Sequence, residues 1–438
     1  MSTLSRRFFR LSLINIASSV TVPLVGLVDT AMLGHLPEIR FLAGVALAAV
    51  LFDYLYWTLG FLRMSTTGLT AQAFGREDDD EAAQVLYRAV VLAVVLAAAL
   101  LLLQLPLREI GFGLLSGEPG VEQAGREYFD ARVWGAPATL CNFVLLGWFL
   151  GRAESRHVLV MTVAANLANV LLNYIFIMRL GMAARGAGLA SMLSQYVMLA
   201  VGCAIYLRCR TRVPWRWASV LDRPKLTALF RLNRDILLRT LCLVTSFALF
   251  VNGSSMLGTL WLAANSILLR LQIVAAYLVD GAAFASETLA GIFHGRGDRP
   301  ALRRLFHLSL TTGLGFTLLF LAGLFATKQQ VFRVLTSHDD VIAASSDYAW
   351  WLVPVLLFGS VAYMYDGLFL GLTEGRRLRN AMLLSTFAVF VPAWGAAVWL
   401  ESNQLLWFAM AVFMVARTAT LWVASRAVLD LPVETDVT

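Results

Sequence analysis

The chain has 438 residues, 59% of them hydrophobic and 14% charged, with a formal charge of +7. Its mean hydropathy is +0.72. A soluble protein of this length needs a polar skin that such a composition cannot supply, which excludes a water-soluble enzyme or binding module.

Apolar runs of about 20 residues, the length that spans a bilayer as a helix with its backbone satisfied internally, fall near 11–34, 43–74, 84–106, 125–151, 157–178, 186–207, 236–260, 262–293, 305–326, 342–372, 380–400 and 403–425. They predict an all-α integral membrane protein with 12 transmembrane helices. Basic residues before the first run resemble a signal peptide. That run, however, has the length of a full span and contains an acid, so it reads as an uncleaved first helix.

The chain also repeats itself. Gly75-Arg76-Glu77-Asp78 returns as Gly295-Arg296-Gly297-Asp298, and Gly147-Trp148-Phe149-Leu150-Gly151 returns as Gly367-Leu368-Phe369-Leu370-Gly371. Both pairs share an offset of about 220 residues, close to half the chain. Glu154 and Arg156 meet Glu374 and Arg376 in the same register. Six spans per repeat bring both halves in from the same side, so the duplication is parallel: two six-helix bundles related by an axis along the membrane normal. The expected lobes are 1–207 and 233–438, joined by a linker at 208–232. That linker region is the richest in cations, with Arg208, Arg210, Arg212, Arg216, Arg223, Lys225, Arg231 and Arg234. Arg6, Arg7 and Arg10 precede the first span, and Arg376, Arg377 and Arg379 follow the tenth. By the positive-inside rule both termini are cytoplasmic, in a multi-pass protein of the cytoplasmic (inner) membrane. The positive surplus is therefore topological and implies no nucleic-acid partner.

Chemistry must then lie inside the membrane, where each charge needs a partner, a water-filled cavity or a task. Asp29 sits late in the first span, six residues after Pro23, with no basic residue one turn away. Pro23 removes a helical hydrogen bond and permits a bend. A carboxyl group in such surroundings can exchange a proton near neutral pH, which is what proton coupling requires; the alternative is a carboxylate satisfied by Thr30 or by neighbouring helices. Asn166, Asn169 and Asn173 lie along one face of the fifth span, and Gln195 of the sixth is a candidate for the same cluster. These amides either line a cation cavity or serve as interhelical glue. In the second half, Asp280 and Glu287 share a face of the eighth span. Asp366 lies in the tenth and Arg417 in the twelfth. They read as a second cation site or as a structural ion cluster, the arginine favouring the latter. Asp53 and Arg63 share the second span but lie well apart around it, and Arg270 is a candidate partner for Asp53 or Asp280. The acidic run Glu77-Asp78-Asp79-Asp80-Glu81 complements a helix N-terminus. The histidines and Cys141, Cys203, Cys209 and Cys242 lack metal-ligand spacing, so neither metal nor cofactor is expected.

Long strings in this sequence match a known family. They are Thr21-Val22-Pro23-Leu24-Val25-Gly26-Leu27-Val28-Asp29-Thr30, Phe61-Leu62-Arg63-Met64-Ser65-Thr66-Thr67-Gly68-Leu69-Thr70-Ala71-Gln72, Arg231-Leu232-Asn233-Arg234-Asp235-Ile236, Asp280-Gly281 and Asp366-Gly367. Through them the chain resembles the MATE multidrug and toxic compound extrusion transporters, in particular their bacterial DinF-type branch. The resemblance implies two six-helix bundles around a central cavity, and export of organic cations driven by inward flow of protons or sodium ions. It puts Asp29 at the coupling acid of the first helix and Asn169 at a cavity asparagine of the fifth. Asn173 stands where many relatives carry a second aspartate, and Ile14 where relatives often carry proline.

Linkage then gives an expected cycle. Asp29 takes a proton from outside, binding of a cationic or amphipathic substrate weakens, the lobes rock, and the proton leaves inside. A monomer is expected to suffice. Rival readings are a lipid or lipid-linked-sugar flippase of the same superfamily, and a membrane-embedded enzyme. The enzyme lacks a nucleophile–base pair or metal cluster in any loop. A major-facilitator transporter lacks support because its glycine–aspartate–arginine signature is missing after the second span.

Overall fold

The structure is a computed structural model in which residues 3–115, 118–208 and 214–430 are described; of these, the side chains of Val22, Pro23, Leu24, Val25, Leu27, Asp29 and Asp430 are not. Among the described residues every regular element is helical, and there is no strand. The chain groups into two units, Ala17–Leu229 and Met1–Ile16 with Phe230–Thr438. Helix α1 (Thr3–Gly34) starts in the second unit and ends in the first. The first unit continues with α2 (Ile39–Leu59), α3 (Phe61–Gly75), α4 (Asp79–Leu102), α5 (Gln104–Leu114), α6 (Pro119–Arg132), α7 (Ala136–Gly151), α8 (Ser155–Asn173), α9 (Ala183–Arg208) and α10 (Trp217–Val220). The second contains most of α11 (Arg223–Met256), then α12 (Thr259–Gly295), α13 (Arg299–Ala326), α14 (Lys328–Leu335), α15 (Asp339–Tyr348), α16 (Leu352–Gly371), α17 (Gly375–Leu383), α18 (Val391–Trp399) and α19 (Asn403–Asp430).

Eleven helices, or helices in direct succession, are long and apolar enough to cross a membrane, and α1 adds a helix of 32 residues. The twelve-span expectation holds, but several spans are interrupted. The run near 43–74 is two helices meeting at Gly60. The runs near 125–151 and 342–372 each contain a 3-10 turn, Val133–Gly135 and Ala349–Trp351. Pro137 and Pro354 follow those turns, and each removes a backbone donor that would otherwise continue the α-helical ladder. The segments Tyr174–Arg179 and Leu384–Phe390 are π-helical.

The duplicated motifs have identical backbone roles in the two units. After Gly75 and Gly295 the chain turns through a left-handed residue, Glu77 at φ 61° and Gly297 at φ 71°. The aspartate that follows caps the next helix: Asp78 accepts from Glu81 N at 2.8 Å and Asp298 from Ala301 N at 3.0 Å. Ala153 and Thr373 are left-handed in the same way, at φ 59° and 56°. The paired glycines let helices touch. A Cβ at Gly147 would lie 2.5 Å from Arg63 O, and one at Gly367 would lie 2.5 Å from Ala283 O. Gly151 and Gly371 press likewise on Thr67 O and Glu287 O. Such close approach is how small residues hold membrane helices together where burial from water gives no drive.

Each unit has its own core. In the first, Phe52 packs on Phe129 with ring centroids 5.0 Å apart. In the second, Phe250 meets Trp407 at 4.9 Å. Trp407 donates to Asn265 Oδ1 at 2.8 Å, and Asn265 donates to Ser254 and Asn403, so a satisfied polar knot ties α11, α12 and α19.

Candidate functional site

Helix α1 runs as one element through positions 23 and 29. The side chains of Pro23 and Asp29 lie outside the described residues, as does Cys209. At Gly26, between them in the chain, a Cβ would meet nothing within 4 Å. Thr30, the near candidate for satisfying Asp29, donates its one hydroxyl proton to Gly26 O at 2.7 Å and so has none left to offer a carboxylate.

The amide ladder of α8 is partly joined. Asn173 is fully buried, Asn169 is 5% exposed, and Asn173 Nδ2 donates to Asn169 Oδ1 at 3.0 Å. Asn166 is half-buried, with an Nδ2 that has no partner among the described residues. The ladder ends where the π-helical segment begins at Tyr174, an irregularity that recurs at functional positions of helices. Gln195 bonds elsewhere. Asn142 on α7 donates to its backbone oxygen at 2.9 Å and to its Oε1 at 3.1 Å. Asn142 had no sequence signal beyond being an amide in an apolar run.

No Asp or Glu of the first unit is buried among the described side chains. Asp53 is exposed. Nearby, Arg132 is held by aromatic rings, 4.6 Å from the Phe52 centroid and 5.5 Å from that of Tyr128, and donates to Tyr128 Oη at 2.6 Å. This first unit therefore offers neutral amides, a caged arginine and the acid on α1.

The second unit differs. Asp366 on α16 is buried, and its Oδ2 accepts from Arg239 Nη2 on α11 at 2.5 Å and from Arg417 Nη2 on α19 at 2.7 Å. All three residues are 6% exposed or less. Arg417 also lies 5.2 Å from the Tyr363 ring centroid and 5.6 Å from that of Phe413. Arg239 lies 127 residues away from Asp366 in the chain, and nothing in the local sequence marks it as a partner. Glu287 is buried on α12, and Asp280, two turns earlier, is half-buried. Arg270 is exposed. Cys141, Cys203 and Cys242 are unpaired, and no metal-type cluster occurs among the described residues.

The description "MatE" belongs to a family model that matches residues 15–175 and 236–394, once in each repeat. The chain belongs to the MatE family. Members of this family are transporters and not enzymes, and the chain is a multi-pass membrane protein of that kind. It is similar to DNA damage-inducible protein F of Escherichia coli strain K12, with 33% identity across 94% of this chain and 90% of that one. Human multidrug and toxin extrusion protein 1 is 25% identical over 82% of this chain and 61% of its own. The solved structure of a MOP superfamily transporter from Pyrococcus furiosus superposes with a TM-score of 0.88 at 19% identity, covering 98% of each chain; at that identity the likeness bears on the MatE fold alone.

Proposed function

We propose that this MatE transporter is a secondary antiporter that exports cationic or amphipathic organic compounds in exchange for protons, with sodium as the alternative coupling ion. Asp29 is the coupling carboxylate, and Asn169, Asn173 and Asn166 are its neutral company. Both termini face the cytoplasm, the lobes are the two repeats, and a single chain of the inner membrane carries out the cycle. Protonation of Asp29 from outside weakens the substrate's hold; release of that proton inside restores it.

The observation that carries this reading is the division of buried acids. The first unit buries no described carboxylate, whereas buried Asp366 of the second is neutralised by two guanidinium groups. Within the first unit, Asp29 is an intramembrane acid with no basic residue one turn away in the sequence; buried Glu287 and half-buried Asp280 belong to the second unit. Neutral amides also suit a proton site, because they bond a carboxyl group in either protonation state. The test is a proteoliposome assay with a fluorescent organic cation under separate pH and sodium gradients. Asp29→Asn is expected to fold and insert normally while losing gradient-driven export. Undiminished export by that variant would refute the assignment, and drive by sodium alone would replace the proton.

A further inference from the structure

At the start of α1, Thr3, Arg6, Arg7 and Arg10 fall on one helical face and line a cavity of about 280 Å³. Arg296, in the turn that closes α12, stands close to Arg7. Burial, and then Arg296, holds the Arg7 guanidinium below its ordinary value. Among the described residues none of Arg6, Arg7, Arg10 and Arg296 forms an ion pair.

The repeated turn supplies its own control. In the first unit the copy of this turn carries five acids, and cations meet them: Arg152 on Asp79 at 2.9 Å, Arg88 and Lys225 on Glu81 at 2.6 and 2.5 Å, and Arg216 near Asp80 at 4.0 Å. In the second unit that turn keeps one acid, Asp298, whose Oδ1 caps Ala301 N. Asp235 is taken by Arg234 and Arg379, and Glu374 by Arg377. Three arginines thus line one hollow, with Arg296 close to one of them and no anion paired with any of the four among the described residues. Arginine's planar fork matches tetrahedral oxyanions such as phosphate, to which it can donate two parallel hydrogen bonds. One turn beyond Arg10, Leu13 is 64% exposed and begins the apolar surface of the span. The cavity therefore lies where lipid headgroups give way to acyl chains.

We propose that this cavity binds the phosphate of an anionic phospholipid in the leaflet on its own side of the membrane. In the orientation proposed above, that is the cytoplasmic leaflet. Basic pockets at this depth suit such headgroups. The divergence of the two turns then has a physical meaning: one is neutralised internally, the other by lipid.

The test uses the purified full-length chain, stripped of lipid in detergent and titrated with phosphatidylglycerol, phosphatidylcholine or inorganic phosphate. Bound lipid is counted by native mass spectrometry and protection read from thermal unfolding. Because both membrane faces are accessible in detergent, failure here is separable from an inverted topology or a wrong coupling acid. Phosphatidylglycerol is expected to be retained over phosphatidylcholine. Arg7→Gln and Arg296→Gln should each weaken retention about fivefold, as expected for one charge near an anionic surface, and Arg7→Lys should weaken it less. Arg333→Gln, an exposed arginine of α14, should change nothing. Equal retention of both lipids, wild-type retention by an Arg6→Gln, Arg7→Gln, Arg10→Gln triple variant, or full protection by inorganic phosphate alone would overturn the proposal.

Discussion

Replacing Asp366 by asparagine tests whether the buried triad of the second unit is a fastening or a transport site. In the native protein one carboxylate oxygen receives Arg239 at 2.5 Å and Arg417 at 2.7 Å, so the two donating nitrogens are no more than about 5 Å apart. Removing the negative charge leaves two buried cations facing each other. At an effective dielectric of about 20 their repulsion is about 3 kcal/mol, in line with the cost of about 3–5 kcal/mol for breaking a buried ion pair, which leaves a charge uncompensated. Asparagine keeps an acceptor oxygen but cannot supply the charge. A loss of about 3–5 kcal/mol is therefore expected, read as a fall of roughly 10 °C in the unfolding midpoint in detergent, followed by tryptophan fluorescence. A triple change of Asp366→Leu, Arg239→Met and Arg417→Met should recover much of that loss, since apolar packing can replace a buried ion cluster without penalty. If Asp366→Asn melts within a degree of wild type yet abolishes transport, the triad is a cation site and the reasoning fails.

Two further predictions concern packing and pH. Gly371→Ala would drive a Cβ into Glu287 O and should cost about 1–3 kcal/mol by overpacking, whereas Gly323→Ala, where a Cβ meets nothing within 4 Å, should be neutral or slightly stabilising by the same melting assay. Glu109, between the third and fourth spans, is held down to about 2 by hydrogen bonds from Arg126 and then Arg108. A depressed carboxylate stabilises fully above its ordinary range and loses that contribution as pH falls toward its folded value. Exchange protection factors of α5 and α6, corrected for the intrinsic pH dependence of amide exchange, should thus match at pH 7 and 5 and fall only in stronger acid. Early loosening at pH 5 would contradict the Arg126 and Arg108 contacts.

What could be read from the sequence follows from which forces leave a local mark. The duplication was visible because a close helix contact and a left-handed turn both demand small or tolerant residues, so Gly147, Gly151, Gly367 and Gly371 survive as a pattern. Spans were visible from hydropathy, but their interruptions at Val133–Gly135 and Ala349–Trp351 were not. A single proline permits a turn without dictating it. Asp366 and Arg417 stood out as charges in apolar runs. Arg239 stood out less, four residues after Asp235 at the start of a span, where a cytoplasmic arginine is ordinary. The partnering of Asn142 with Gln195, 53 residues apart, and the aromatic surround of Arg132 depend on helix rotation, which no local spacing encodes.

The energies on the two sides of the duplication point to where coupling can occur. A gradient of one pH unit supplies about 1.4 kcal/mol per proton. Freeing Asp366 from two guanidinium groups costs more than that, so a cycle that broke the triad at each turn would stall. The Asn173–Asn169 bond, at 3.0 Å, is a neutral contact worth about 1 kcal/mol, and Asn166 holds an unpaired donor beside it. Contacts of that size can be exchanged for a bond to a carboxyl group as its charge changes. On the proposed reading, a proton arriving on Asp29 would rearrange α8 within its own free-energy range, while the charges of α11, α16 and α19 stay fixed. Helix α8 is where a structural response to Asp29 should be sought: exchange protection factors or spectroscopic labels near Asn169 should respond to pH in wild type, and lose that response in Asp29→Asn. A response that persists in the variant would place the proton elsewhere.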